Sequence, residues 1–355
     1  MIINPADVPR PRKVSQTQLA RELGISQALV SLVLNGRKAG ISSETYERVW
    51  SHAVKRGYHP KGMHLASSPA ATHAHQVGFI LRAGLQLHAP TIYFGRVQHG
   101  LHTALEGAGF SSVFLGYEDE LDAKKLRRFF KAGHHFKGVV LLGEVARPFL
   151  EELRRVERRI VAVSARYPGL CHSVLGNEPQ ARETRVAHLH GLGHRRFGWL
   201  GGNAGLGRHE ARLAALRAAL DHAGLALDPR YCAKLAQADR AEGFDAMEQL
   251  LAFRRRKDFP TAFICFNSTM AAGALKGLLR AGVSVPADVS VAAADISRAA
   301  TEHVPPIAAA GSSPEKLGEA AARLVLASTG AEDEVFTDLM LPAQFFPGAT
   351  TGRVQ

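Results

Sequence analysis

Between Ser26 and Asn35, polar and small residues alternate with apolar ones at helical spacing. Leu29, Val30, Val33 and Leu34 share one face, and Gln27, Ala28, Ser31 and Leu32 fall on the other. The second set is suited to reading a duplex. A Gln amide can hydrogen-bond adenine, and the side chains of Ala28 and Leu32 can touch thymine methyls. Ser31, Asn35, Arg37 and Lys38 are suited to phosphates, which position a protein on DNA without specifying sequence. The same spacing also serves a small helical bundle that docks on protein, so the surroundings of these residues must decide between the two readings.

Those surroundings predict a compact trio of helices. Pro5, Pro9 and Pro11 make residues 1–13 a loose arm. Ser15 can cap a first helix through Glu22, with Leu19, Ala20 and Leu23 on one face, and Gly24 ends it. Ser26 can cap the second. A basic turn between Gly36 and Gly40 leads to a third helix from Ser43 to Arg56, with Tyr46, Val49, Trp50, Ala53 and Val54 inward. Two helices on a tight turn with a third in support can press the second into a major groove. The net charge is +12, and residues 1–75 carry ten Lys/Arg against four Asp/Glu, so the basic excess is concentrated there. Residues 59–75 lack apolar periodicity and read as a linker. The domain expectation is therefore a head over 1–58, a linker or hinge over 59–75 and a body over 76–355.

The body alternates short apolar runs with amphipathic segments. Predicted strands are Val77–Leu81, Ser112–Gly116, Gly138–Leu142, Ile160–Ser164, Phe197–Gly201, Thr261–Phe266 and Val289–Ala293. Predicted helices are Phe94–Ala108, Asp122–Lys131, Gln180–His190, Glu210–Ala223, Glu242–Phe253 and Thr269–Ala281. Strands that are apolar throughout and separated by helices imply parallel sheets covered on both faces. More than one core is needed for this length, so the fold class is α/β with two lobes.

Enzyme signatures do not emerge. Gly201–Gly207, GGNAGLG, follows a strand but lacks GxGxxG spacing and its acidic partner. Seventeen histidines include no HExxH, and His134-His135 reads as a loop pair. Cys171, Cys232 and Cys265 are odd in number and form no CxxC, which argues against a disulfide framework or a zinc site. No cofactor and no metal are expected. No h-region of a signal peptide and no run of 18 apolar residues appear, so the expected compartment is the cytoplasm, away from the membrane.

The segment Gln18–Pro60 resembles the head of the lactose-repressor/galactose-repressor family. The shared pieces are Leu19-Ala20, Leu23-Gly24-Ile25-Ser26, Val30-Ser31, Val33-Leu34-Asn35, Glu44-Thr45, Arg48-Val49 and Gly57-Tyr58-His59-Pro60. The resemblance implies a helix-turn-helix head, with Ser15, Ser26 and Tyr58 joining the residues above on DNA. It also implies a hinge segment in which Leu65 is the candidate minor-groove wedge. This chain departs in carrying Leu32 where the family usually has Arg, and Gly62 in the hinge segment, where Gly costs about 1 kcal/mol of helix stability against Ala.

For the body the resemblance implies a two-lobed, periplasmic-binding-protein-like domain with an effector in the cleft. Leu87-His88-Ala89-Pro90 with Tyr93-Phe94, His188-Leu189 through Gly201-Gly202, Arg212-Leu213-Ala214, Phe266 to Ala271 and Val285 to Val291 resemble family landmarks, with Asp295 after the last. Ser268 stands at the family's usual Asp, and Ala293-Ala294 at its Gly-Tyr pair. Candidate effector residues are His88, Tyr93, Asn177, Arg212, Asn267 and Asp295, whose fork, amides, carboxylate and aromatic face suit a carbohydrate-like ligand. Asn267 could equally cap the helix that follows it, and Arg212 and Asp295 could be ordinary surface and loop residues. The expectation is a non-enzymatic repressor, homodimeric on double-stranded operator DNA and modulated by a small-molecule effector. The alternatives are a regulator without ligand control, and a cytoplasmic α/β binding protein or enzyme.

Overall fold

The computed structural model describes residues 15–34, 41–42, 45, 48–49, 52–53, 75–83, 93–131, 136–331 and 335–354. The chain divides into two units, Met1–Pro69 and Ala70–Gln355. Asn35, Arg37, Tyr58, Leu65 and His88, all expected to bind DNA or effector, lie outside the described residues.

In the first unit, α1 spans Gln16–Leu23 and α2 spans Gln27–Leu34. The Ser15 hydroxyl accepts from the Gln18 amide at 3.1 Å, and the Ser26 hydroxyl from the Leu29 amide at 3.2 Å. Each cap satisfies a backbone donor that the first turn leaves open. Gly24 ends α1 at φ 67°, a left-handed conformation that glycine adopts without a Cβ clash. Leu19, Ala20, Val30, Val33, Leu34, Val49 and Ala53 form the buried core of this unit. Glu22 pairs with His52 at 2.8 Å, bringing the helical residues around His52 against α1.

The second unit holds two six-stranded sheets. One has the order β11-β5-β4-β3-β1-β2, built from β1 (Gln76–Leu81), β2 (Ser111–Tyr117), β3 (Phe136–Leu142), β4 (Ile160–Val163), β5 (His172–Gly176) and β11 (Asp338–Leu341). The other has the order β12-β10-β9-β8-β6-β7, from β6 (Phe197–Gly201), β7 (Cys232–Lys234), β8 (Ala262–Cys265), β9 (Ser290–Ala293), β10 (Ala308–Gly311) and β12 (Gln344–Phe346). All described pairings are parallel except β10 with β12. The helices of this unit are α3 (Tyr93–Gly107), α4 (Ala123–Lys131), α5 (Arg147–Arg154), α6 (Glu178–Gly191), α7 (Gly207–His222), α8 (Arg240–Leu251), α9 (Ser268–Arg280), α10 (Arg298–Thr301) and α11 (Pro314–Ala327). Strands β1, β3, β4, β6, β8 and β9 are buried nearly throughout, as strands covered on both faces must be.

The chain passes between the two sheets three times: β5 to α6, β10 to α11, and β11 to β12. Ser312 ties these crossings together. Its hydroxyl donates to the Leu341 carbonyl at 2.8 Å and accepts from the Asn177 amide at 3.3 Å, and that amide also reaches the Leu341 carbonyl at 2.9 Å. The three thiols are free, and burial pushes that of Cys171 up to about 12, leaving it unreactive.

Helices α3 and α11 are the most extensively packed pair of elements among the described residues. Their backbones meet at two glycines: a Cβ on Gly100 would overlap the Glu315 carbonyl, and one on Gly318 would overlap that of Val97. In an exposed helix, Gly→Ala gains about 1 kcal/mol. Here the substitution Gly318→Ala is expected to lose about 1–3 kcal/mol through overpacking, seen as a lower urea midpoint. A higher midpoint would show that these helices do not sit this close.

Candidate functional site

Two places concentrate the expected functional residues. The first is the outer face of α2. Gln27, Ala28 and Leu32 are exposed and Ser31 is half-buried, while Val30, Val33 and Leu34 face the core. Leu32 is 40% exposed, so its side chain is open to contact from outside the helix. Among the described residues the Gln27 amide donates to the Gln16 carbonyl oxygen at 3.3 Å. Ser15 and Ser26 spend an acceptor lone pair on their caps, and a hydroxyl so engaged can still donate its proton.

The second place is the cleft between the two sheets of the body. Tyr93, Asn177, Arg212 and Asp295, four of the expected effector residues, line one small cavity together with Glu178, Arg208 and Ser312. Asn267 is not among its lining residues. Its carbonyl oxygen caps α9 by accepting from the Met270 amide at 2.7 Å, and its amide donates to the Ala238 carbonyl at 2.8 Å, so both ends are engaged. Apart from Arg212, in the second turn of α7, the lining residues lie at the carboxyl edge of a strand or in the first turn of the following helix, where open α/β sheets place ligands.

Glu178 organises the cleft. Its Oε1 accepts from Arg212 Nη2 at 2.8 Å and Nε at 3.1 Å, and lies 3.7 Å from Arg208 Nη2. Its Oε2 accepts from Arg182 Nη2 at 3.2 Å. Burial alone would raise the Glu178 pKa, but the Arg212, Arg182 and Arg208 guanidiniums together outweigh it and hold the carboxyl well below the usual range. Burial pushes Arg182 far down and Arg185 to about 10, yet a guanidinium keeps its charge at neutral pH. For Arg208, Tyr93 and the two carboxylates Glu178 and Asp295 offset burial and raise its pKa. The guanidiniums also lie over rings: Arg212 is 4.7 Å from the Phe266 centroid and Arg208 4.8 Å from that of Tyr93.

Asp295, 5% exposed, accepts from the Ser268 hydroxyl, which itself lies 2.7 Å from the Ser297 hydroxyl. A serine in place of the family's usual aspartate thus supplies a donor to the acid across from it. The remaining cavity is about 10 Å³, room for one water. Contacts across the cleft hold it narrow: Arg82 to Asn203 at 3.2 Å, Glu144 to the Gly207 and Arg208 amides at 3.0 and 3.3 Å, and Arg96 to the Ile296 carbonyl at 2.9 Å. Among the described residues no group of His, Cys, Asp and Glu could hold a metal, and no helix is long and apolar enough to cross a membrane.

Sequence reasoning passed over Glu178, Arg182, Arg185 and Arg208. The available signal was three charged residues at i, i+4 and i+7, Glu178, Arg182 and Arg185, beside the buried positions Ala181, Val186 and Leu189 of one helix.

Removing the charge at Glu178 leaves guanidiniums buried without a counter-ion. The variant Glu178→Gln is expected to lose about 3–5 kcal/mol of unfolding free energy near pH 7. Because the native pKa of Glu178 is depressed, its contribution is present above the unfolded value near 4.5 and is lost as pH falls below it. The difference between wild type and variant in urea melts should therefore shrink toward acid pH. A gap that is constant with pH would remove the ion pairs as its cause.

Residues 186–351 match the family model of the periplasmic binding protein-like domain. The maltose regulon regulatory protein MalI of Escherichia coli (strain K12) is 30% identical over 279 residues, covering 76% of this chain and 77% of MalI. The HTH-type transcriptional repressor PurR of Yersinia enterocolitica is 25% identical over 316 residues, 87% of this chain and 88% of that one. Among solved structures, a LacI family transcriptional regulator from Mycobacterium smegmatis superposes with a TM-score of 0.66 at 22% identity, over 79% of this chain and all of the other. The Lac repressor dimer bound to operator and an anti-inducer superposes at 0.65 with 19% identity, over 96% of this chain and all of the other, and so shares the fold. On the MalI match the chain belongs to the lactose-repressor/galactose-repressor (LacI) family of transcriptional regulators.

Proposed function

We propose that this protein is a cytoplasmic transcriptional repressor that works as a homodimer on a pseudo-palindromic operator, with its DNA affinity set by a small molecule in the inter-lobe cleft. The observation that carries the reading is the exposed row Gln27, Ala28 and Leu32 on a helix whose other face is core. In this reading residues 1–58 are the head, 59–75 the hinge and 76–355 the effector and dimerisation body. Gln27 reads an adenine, Ala28 and Leu32 contact thymine methyls, and Ser15, Ser26 and Ser31 position the head on phosphates. A leucine in place of the family's usual arginine exchanges a guanine-reading fork for an apolar contact, so the preferred base at that position shifts.

A carbohydrate-like effector is supported by relatives, one of which, CelR, was solved as a cellobiose complex. Arg212, Asn177, Asp295 and Tyr93 supply donors, acceptor and aromatic face for it. The effector works by binding the two lobe arrangements unequally, with coupling of about 1–3 kcal/mol. One observation favours a second reading, a regulator without ligand control: the cavity is narrow and Arg212 is already engaged by Glu178. Operator affinity unchanged by every cleft ligand would favour it.

The test is selection of bound sequences from random duplex DNA with the full-length protein at fixed salt. A pseudo-palindrome with half-sites about one helical turn apart is the expected result. No enrichment, with or without a mixture of sugars and nucleobases, would overturn the reading. Within the selected site, Gln27→Ala is expected to relax discrimination at one base pair per half-site by about 1–3 kcal/mol. A binding profile identical to wild type would move Gln27 off the bases.

A further inference from the structure

We infer that the ligand of the cleft is an anion, a small polyhydroxylated molecule bearing a carboxylate or a phosphate, and that Glu178 stands in the place its charged oxygens take. The inference rests on the reading of the cleft as an effector site and narrows the class of molecule that fits it.

The first support is charge. Arg208 and Arg212 line the cavity with the carboxylates Glu178 and Asp295, and Arg182 and Arg185 lie behind the lining, within the field of Glu178. Arg182 and Arg185 are fully buried, and Arg212 is 1% exposed. Two more cations than anions are thus held out of water, a costly state without a counter-ion. At the rim Arg82 is set between Glu144 and Glu118, which takes one charge off that excess and leaves it positive.

The second support is unsatisfied donors. Arg182 Nε and Arg185 Nε and Nη2 are buried with no hydrogen-bond partner. Arg185 makes one hydrogen bond, to the Ala310 carbonyl next to the cavity-lining Gly311. Arg212 and Arg208 line the cavity and meet a ligand directly, and the other two add their field from behind. The third support is the backbone. Helix α6 begins at the lining residue Glu178, α7 begins one residue before the lining residue Arg208, and α9 begins at Ser268, bonded to the lining residue Asp295, so the positive ends of three helices lie at or beside the cavity. A neutral sugar uses none of this excess. An oxyanion does, and a bidentate fork from Arg212 suits it once Glu178 turns aside.

The test measures thermal midpoint, calorimetric Kd and operator affinity of the full-length protein. The probes are inorganic phosphate against chloride at matched ionic strength, and glucose against glucose 6-phosphate and glucuronate. The expected result is a higher midpoint with phosphate than with chloride, and at least about tenfold tighter binding of one charged sugar than of glucose. Which charged sugar binds distinguishes phosphate from carboxylate. The variant Arg208→Gln should lose about tenfold in anion affinity. Glu178→Gln should gain about tenfold, and phosphate should restore its midpoint by more than it raises that of wild type. Equal effects of phosphate and chloride, or anion affinity unchanged in both variants, would overturn the inference. If glucose alone shifts operator affinity, the anion inference fails and the effector reading stands. If anions bind the cleft without moving operator affinity, the anion inference stands and the effector reading fails.

Discussion

The arrangement of the body turns on one constraint: guanidinium groups buried where the two lobes meet must be offset within the fold. Glu178 supplies most of that offset. It occupies the first turn of α6, directly after the first of the three crossings between lobes. From there its two oxygens reach Arg212 on the neighbouring helix and Arg182 one turn along its own. The carboxylate also benefits from the positive end of α6, so backbone and side chains favour the same charge at the same point. Arg212 and Arg208 are then held against Phe266 and Tyr93, which sets the walls of the cleft.

This placement links the site to lobe movement. Asn177, adjacent to Glu178, is tied to Ser312 and Leu341, so all three crossings meet within a few residues of the charge cluster. Glu144 of one lobe caps the first turn of α7 in the other through the Gly207 and Arg208 amides. A ligand that reorients Glu178 or Arg208 therefore acts on groups that also hold the lobes together. The side chains proposed to bind the effector and those that close the cleft are neighbours in sequence and in space, which is the physical requirement for coupling one to the other.

Much of the architecture was legible in the sequence, for reasons visible at single positions. The strands of both sheet centres are apolar runs with Val, Ile and Phe, and they emerged within one or two residues of their bounds. Five strands did not: β5 begins with His172 and ends with Gly176, β7 has three residues, β10 is three alanines and a glycine, and β11 and β12 are short edge strands with exposed positions. Their place is set by tertiary pairing rather than by local preference. Helix α5 hides behind Pro148, which suits a first turn, and α6 was read as starting at Gln180, which left Glu178 outside it. That short offset concealed the residue on which the cleft depends. Tyr93, Asn177, Arg212 and Asp295 were named on the family resemblance and on their polar chemistry, and the fold brings the four to one cavity. Arg182 and Arg185 were missed because charged residues at helical spacing usually face solvent, and only the packed fold shows them buried.

The most direct measurement is a double-mutant cycle on Glu178→Gln and Arg212→Met, read by urea unfolding of the full-length protein near pH 7. The account predicts a coupling of at least about 2 kcal/mol, with Arg212→Met costing much less in the Glu178→Gln background than in wild type. Effects that add within about 0.5 kcal/mol would show that the two residues stabilise the fold independently. Glu178 would then not be the group that holds the buried guanidiniums in place.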